Sequence, residues 1–121
     1  MRRDWDVIRK VLSEVEDLDP AERDRKIYET GSGEIEEKIK AEHAVLLWQA
    51  GFLSGIDVST VSDGALMSPE LTWAGHDLLQ TMRSATVWER IKTIAKDRGI
   101  ELTFDAVKAL GKVALESAIG N

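Results

Sequence analysis

The sequence predicts a mainly helical fold with a small antiparallel β-unit, which places the chain in the α+β class. Apolar residues recur at steps of three and four in several segments, the spacing of amphipathic helices. Two short apolar stretches flank residues 57–69, which are rich in Ser, Asp and Gly and indicate a loop between two strands. A chain of 121 residues is long enough for one hydrophobic core.

The composition is that of an ordinary globular protein, with 43% hydrophobic and 31% charged residues. The absence of Cys excludes disulfides, thiolate metal sites and Cys nucleophiles, and two His do not suggest a zinc site. The apolar runs are too short to cross a membrane, and residues 1–10 lack the apolar core of a signal peptide. We therefore expect a cytoplasmic protein without a cofactor or a bound metal.

The first half of the chain predicts two long helices separated by a short strand. A helix over residues 4–18 ends at Asp19-Pro20, where Pro20 opens a short helical turn, and residues 26–30 form a short edge strand. A second helix over residues 34–50 begins near Ser32 as its cap and ends at Gly51. Its predicted core face comprises Ile35, Ile39, His43, Leu46, Leu47 and Ala50.

The second half predicts a β-hairpin followed by three helices. Strands over residues 52–56 and 70–72 enclose the loop, and Thr72 caps a helix that carries Trp73 towards the core. Ser84 either interrupts the helical pattern or caps the next helix, which covers residues 86–98 and ends at Gly99. A last helix follows the cap Thr103. In this predicted order, a helix ends at a glycine and is followed by a strand, a loop, a second strand and another helix. The C-terminal half of a winged helix has the same order of elements. The chain is thus predicted to be one winged-helix-like domain over residues 1–121, with a core of residues 1–83 and a helical extension of residues 84–121.

Several short segments of the sequence form a recognisable pattern. The most specific of them is Leu71-Thr72-Trp73-x-Gly75-His76-Asp77-x-Leu79. The other residues of the pattern are Arg3-Asp4-Trp5-Asp6, Ile8-Arg9-Lys10, His43, Leu46-Leu47, Ala50-Gly51, Arg83, Thr86, Trp88 and Phe104-Asp105. Together they resemble a family of small bacterial and prophage proteins known only as a domain of unknown function. The resemblance implies a winged helix and a phage or prophage setting, and it implies no activity.

The motif around His76 suggests either a catalytic group or a structural junction. Thr72, His76 and Asp77 supply a hydroxyl, a base and a carboxylate, but adjacent helical residues point about 100° apart and so do not face each other. We therefore expect no enzyme. The motif residues Leu71, Thr72, Trp73, Gly75, His76 and Asp77 are interpreted as structural, as is His43.

Two surfaces are candidates for contacts with other molecules. The face of the second helix opposite its predicted core holds four apolar residues, which indicate a partner interface unless residues 19–33 or the last helix cover them. These residues are Ala41, Ala44, Val45 and Trp48. A displaced phosphate-binding patch would consist of Arg2, Arg3, Arg9, Lys10, Arg90, Lys92, Lys96 and Arg98; solvated helix faces are the commoner explanation.

The charge pattern favours a protein partner over nucleic acid. The net charge is −6, the second helix offers only Lys38 and Lys40 against four Glu, and residues 57–71 contain no basic residue. We therefore predict a non-enzymatic phage- or prophage-type interaction module that acts through protein contacts, as a homodimeric regulator or as a counter-defence protein. The alternative is a DNA-binding winged-helix transcriptional regulator, which rests on analogy of fold alone. A membrane partner is not expected.

Overall fold

The computed structural model describes residues 2–119, with side chains up to residue 116. It is mostly helical with a three-stranded antiparallel sheet, which confirms the predicted α+β class. The elements are α1 (Trp5–Asp17), α2 (Pro20–Arg25), β1 (Ile27–Glu29), α3 (Ile35–Gln49), β2 (Leu53–Asp57), β3 (Ala65–Leu71), α4 (Trp73–Arg83), α5 (Ala85–Arg98) and α6 (Phe104–Ile119). The chain divides into two compact units, residues 1–77 and 78–121, and the division falls within α4.

Most helix ends follow from local sequence. Asp4 caps α1 by accepting hydrogen bonds from the N–H groups of Asp6 and Val7. Asp19 and Glu22 form a capping box on α2, with Pro20 as its first residue. Gly99 ends α5 in the left-handed conformation at φ 64°, as predicted.

Ser32 does not cap α3, contrary to prediction. Glu34 occupies the cap position without a side-chain hydrogen bond to the helix, and Ser32 instead donates its hydroxyl to Glu29. Gly33 separates Ser32 from the helix with φ 91°, so the serine lies two residues before the cap position. A serine close to the start of a helix caps it only when it occupies that position.

The sheet has the order β1-β3-β2, so that β1 lies at an edge, as predicted. The third strand begins at Ala65, five residues before the predicted residue 70. Residues 65–67 pair with β1 through Ile27↔Met67, Tyr28↔Leu66 and Glu29↔Ala65. The loop predicted over residues 57–69 from their Ser, Asp and Gly content therefore included Ala65, Leu66 and Met67, which form the start of the strand. Ser68 adopts φ 54°, but the strand continues through it.

The core of the first unit lies between α1, α3 and the sheet. α1 contributes Ile8, Val11, Leu12 and Val15, all of them buried and spaced as predicted. His43 on α3 is 1% exposed, and both of its ring nitrogens have partners. Nε2 accepts the N–H of Asp4 at 3.0 Å, and Nδ1 donates to the carbonyl oxygen of Ile39 at 2.8 Å. This arrangement suits a neutral, structural histidine that joins α3 to the start of α1.

The predicted core face of α3 is correct for His43 and Leu47, which are buried, but the buried face as a whole is rotated by about 100° around the helix axis. Ile35 and Ile39 were expected inside and are 77% and 38% exposed. Ala41 and Ala44 were expected on an outward partner surface and are buried. The side chains that point inward are Lys40, Ala41, His43, Ala44 and Leu47. α3 contacts α1 and all three strands, so it needs a wide buried face with small residues where those neighbours approach closely.

One polar network connects α1, α3 and β1. Tyr28 donates its hydroxyl to Glu14 at 3.0 Å, and Lys40 donates to the other oxygen of the same carboxylate at 2.5 Å. Burial opposes ionisation of Glu14, but these hydrogen bonds outweigh it and hold the pKa of the Glu14 carboxyl below its ordinary value. The hydrogen bond to Glu14 raises the pKa of Lys40, and burial next to Glu14 raises the pKa of Tyr28.

The second unit consists of the end of α4 with α5 and α6. Trp88, Ile91 and Ala95 of α5 are buried, and they pack against α6. The buried residues of α6 are Val107, Leu110 and Ala114. Ser84 and Thr103 cap the two helices through the N–H groups of Val87 and Ala106, which confirms both predicted caps.

Candidate protein-binding site

A tight junction between β3 and α4 positions the candidate site. Thr72 donates its hydroxyl to the carbonyl oxygen of Gly51 at 2.6 Å and accepts the N–H of Gly75 at 3.1 Å. Gly75 is buried so close to β2 that a Cβ there would collide with the carbonyl oxygen of Phe52. The hydroxyl therefore caps the helix and joins it to the end of α3, while the glycine lets the helix approach β2. The structural roles predicted for Thr72 and Gly75 agree with these contacts.

Trp73 does not point into the core, contrary to prediction, and its side chain is 86% exposed. The buried residues of α4 are Gly75, Leu78, Leu79 and Met82. At 100° per residue these four lie within one arc of the helix, and Trp73 lies opposite the middle of that arc. The core therefore cannot account for a tryptophan at this position. A tryptophan is highly buried in most proteins, so its exposure here is informative.

The Trp73 ring contacts His76, and two carboxylates lie in the same region, Glu16 close to His76 and Asp77 one turn after Trp73 on α4. The rings of Trp73 and His76 are 5.8 Å apart at an angle of 45°. The Nδ1 atom of His76 lies 3.9 Å from Oε2 of Glu16, at the end of α1. Asp77 follows Trp73 by four residues and so lies on the same face of α4. We refer to Trp73, His76, Glu16 and Asp77 as the Trp73 site; all four belong to the first unit.

The four residues predicted as a partner interface on α3 do not form an exposed patch. Ala41 and Ala44 are buried, whereas Val45 and Trp48 are half-buried. A Cβ on Gly64 would lie 3.4 Å from Val45, which places this side chain against the start of β3. The sheet, including β1 from the segment 19–33, contacts α3. The alternative that this segment covers the residues is therefore the one that the structure supports.

The residues predicted as a phosphate-binding patch are divided equally between the two units. Arg2, Arg3, Arg9 and Lys10 lie in the first unit, and the other four lie in the second. Arg9 and Lys10 border a shallow cleft whose other residues are Ser13, Glu14, Asp17 and Lys40. Lys92 forms an ion pair with Glu89 at 2.8 Å. Acidic neighbours thus accompany the basic side chains in both units, and Arg90, Lys96 and Arg98 are exposed on α5.

A second apolar surface lies on the outer face of the sheet. Ile27, Met67 and Ile56 are neighbours across the three strands, and the two isoleucines are 44% and 55% exposed. Their opposite neighbours, Tyr28 and Leu66, are buried against the helices. Alternation along a strand predicts such an outer row. This outer row was not predicted, because residues 65–67 were expected to lie in a loop.

The two units differ strongly in charge. Residues 1–77 contain nine Lys and Arg against 17 Asp and Glu, a net charge of −8, whereas residues 78–121 carry a net charge of +2. No Lys or Arg occurs anywhere in residues 41–82, the segment that contains three of the four residues of the Trp73 site. Comparing the charges of the two halves would have revealed this from the sequence.

Within the described part of the chain, no group of three or more His, Asp or Glu side chains is arranged to hold a metal ion. No helix within residues 2–119 is long and apolar enough to cross a membrane.

Two of three comparisons with known proteins gave a match. The model of a family described as "Hypothetical protein (DUF2513)" matches residues 2–101. An uncharacterized protein of Haemophilus influenzae is 31% identical over 119 residues, which cover 98% of this chain and 99% of that protein. No solved structure matches the chain.

Proposed function

This chain belongs to the DUF2513 family of hypothetical proteins, and we propose that it is a non-enzymatic protein-binding module that contacts its partner through Trp73. Family membership agrees with the predicted family of unknown function, which carries no activity to transfer. The observation that supports the proposal is the 86% exposure of Trp73 on a helix held by the Thr72 and Gly75 contacts.

An exposed tryptophan on a firmly anchored helix is well suited to recognition. Tryptophan is enriched among the residues that dominate protein interfaces, because it buries a large area while losing little side-chain freedom. The junction beneath it orders the backbone before any partner arrives, which lowers the entropic cost of binding. The proposed partner surface therefore lies at the first turn of α4. The surface predicted from the sequence lay around Trp48 on α3.

Capture of a partner by the tagged full-length chain tests this proposal. Trp73→Ala should reduce the amount of the specifically captured protein by about 30-fold, the loss expected for a central interface residue. Ile35→Ala is the matched control, because Ile35 is 77% exposed on α3 and outside the Trp73 site. Both variants should retain the urea midpoint of the parent. Equal capture by the parent and by Trp73→Ala would contradict the proposal.

A DNA-binding regulator is the second candidate, favoured by the β2–β3 hairpin that follows α3 in the manner of a wing. Two observations weigh against it. A helix-turn-helix needs two helices joined by a short turn, and here β1 separates α3 from the six-residue α2. The hairpin loop, residues 58–64, contains no basic residue. A gel shift at low salt should therefore give no sequence-selective complex, and a tight selective complex would favour the regulator.

A phage or prophage setting and a counter-defence role belong to this proposal as predictions. A small acidic protein that acts through a single exposed contact suits the inhibition of a larger complex. Deleting the gene from a prophage-bearing host and restoring it with Trp73→Ala tests whether any phenotype depends on the same residue. If the Trp73→Ala chain restores the phenotype fully, Trp73 does not take part in the counter-defence role.

A further inference from the structure

We propose that the Trp73 site binds a cationic side chain, Lys or Arg, presented by a partner protein. This inference rests on the proposed function, since it specifies the chemistry of the partner at the same site. The observations that carry it are the exposed face of the indole and the carboxylates beside it.

The indole offers an open π-face to a cation. A guanidinium or ammonium group near the face of a tryptophan is attracted to the negative potential of the ring. Trp73 is 86% exposed, and its contact with His76 is tilted, with ring centroids 5.8 Å apart. The tilted contact orients the indole without stacking a second ring flat upon it.

The groups around the indole have the charge that a cation requires. Glu16 lies beyond His76, and Asp77 lies on the same face of α4 as Trp73. Both carboxylates belong to a unit with a net charge of −8. Complementary charge speeds association and selects against partners of the wrong sign. A partner that carries positive charge is therefore favoured at this position.

The same pattern disfavours an anionic partner. Nucleic acid and acidic lipid surfaces are bound through Lys and Arg, and residues 41–82 contain neither. Two basic groups of the first unit, Arg23 and Lys40, already form ion pairs with Glu70 and Glu14. Stacking of a nucleobase on Trp73 would bring its phosphates close to Glu16 and Asp77. Nucleic acid is thus an outcome that the test must exclude.

The experiment follows the Trp73 indole N–H by NMR while short capped peptides are added to the full-length chain. The probe peptide is Ac-Gly-Arg-Gly-Arg-Gly-amide, and its matched control replaces each arginine with citrulline, which keeps the shape and removes the charge. Oligothymidylate is the anionic probe. The indole signal is assigned by its loss in Trp73→Phe, which retains an aromatic ring.

We expect the arginine peptide to shift the Trp73 signal in a saturable manner, and the citrulline peptide to bind about three- to fivefold more weakly. Trp73→Ala should weaken arginine-peptide binding by a similar factor, with Ile56→Ala on the sheet as an apolar control. Glu16→Gln should weaken it about twofold, whereas Glu36→Gln on α3, with the same change in net charge, should have less effect.

The remaining outcomes separate this inference from the proposed function. Equal binding of the arginine and citrulline peptides, or no shift with either, would overturn the cationic preference. A shift with oligothymidylate alone would overturn it in favour of nucleic acid. If protein capture depends on Trp73 while the arginine peptide fails, the protein-binding function stands and only the cationic inference falls. If capture is independent of Trp73, the proposed function fails whatever the peptides do.

Discussion

At the scale of single residues, Gly75 shows how one missing side chain positions the candidate site. Its backbone lies against the carbonyl oxygen of Phe52, where a Cβ has no room. Gly75→Ala should therefore force α4 away from β2 and lower the free energy of unfolding by about 1–3 kcal/mol. It should also displace the neighbouring Trp73 and weaken partner capture.

Gly111 is the matched control for Gly75. Gly111 lies inside α6, and a Cβ there would lie 3.6 Å from Thr81 of α4 and 3.7 Å from Ile91 of α5, which are ordinary van der Waals contacts. Because alanine favours a helix more than glycine does, Gly111→Ala should raise the free energy of unfolding by about 0.5–1 kcal/mol. Urea denaturation of the two variants measures both effects. Similar effects of the two substitutions would contradict the close contact at Gly75.

At the scale of elements, the positions of helix ends were predicted better than the faces that the helices bury. Caps at Thr72, Ser84 and Thr103 depend on residues within one turn, and all three are confirmed. The buried face of α3 depends on which elements lie around it. Ile35 and Ile39 supplied a plausible apolar stripe, yet the helix buries Ala41 and Ala44 instead because α1 and the sheet approach from that side.

The Trp73 site could be predicted only in part. The motif of residues 71–79 located the junction, and the contacts of Thr72 and Gly75 agree with their expected roles. The exposure of Trp73 was missed because the residue was assigned to the core by its apolar character. Its angle on the helix relative to Leu78 and Met82 would have placed it outside. The proximity of Glu16 depends on how α1 packs, which no local pattern encodes.

The face of α3 can be tested with one pair of substitutions. Ala44 is fully buried, so Ala44→Leu should overpack the core and lower the free energy of unfolding by about 1–3 kcal/mol. Ile35 is 77% exposed, and Ile35→Ser should change it by less than about 0.5 kcal/mol. Thermal and urea unfolding of both variants provide the comparison. A larger loss of stability in Ile35→Ser than in Ala44→Leu would support the core face of α3 that the sequence predicted.

The network of Glu14, Lys40 and Tyr28 should make stability depend on pH at both extremes. The pKa of Glu14 is lower in the folded chain than its ordinary value of 4.5, so its contribution is complete above about pH 4.5 and is lost as the pH falls further. The pKa values of Tyr28 and Lys40 are raised from 10.0 and 10.5, so their contributions are lost as the pH rises above about 10.

Urea midpoints between pH 3 and 11 measure this dependence. Glu14→Gln should flatten the acid limb, because glutamine has no proton to gain, and it should also weaken the alkaline limb. Glu34→Gln is the control, since Glu34 is exposed and its side chain makes no cap hydrogen bond. A Glu14→Gln profile that parallels the parent at low pH would show that other carboxyl groups cause the acid limb.

At the scale of the whole molecule, the division of charge between the two units has a consequence for stability. The first unit concentrates a net charge of −8 in 77 residues, and charges of one sign repel one another more strongly in the compact state. Salt screens such repulsion, because the Debye length falls from about 30 Å at 0.01 M to about 10 Å at 0.1 M. The first unit should therefore become more stable when NaCl is added.

Trp88→Phe isolates this effect, since it leaves tryptophan only at positions 5, 48 and 73 of the first unit. With this variant, the fluorescence-detected urea midpoint should rise as NaCl increases from about 0.01 M to about 0.3 M. Adding Glu34→Gln and Glu36→Gln lowers the net negative charge by two and should reduce the slope. If the midpoint instead falls with salt, specific ion pairs such as Glu14 with Lys40 outweigh the net repulsion, and the acidity of this unit does not destabilise its fold.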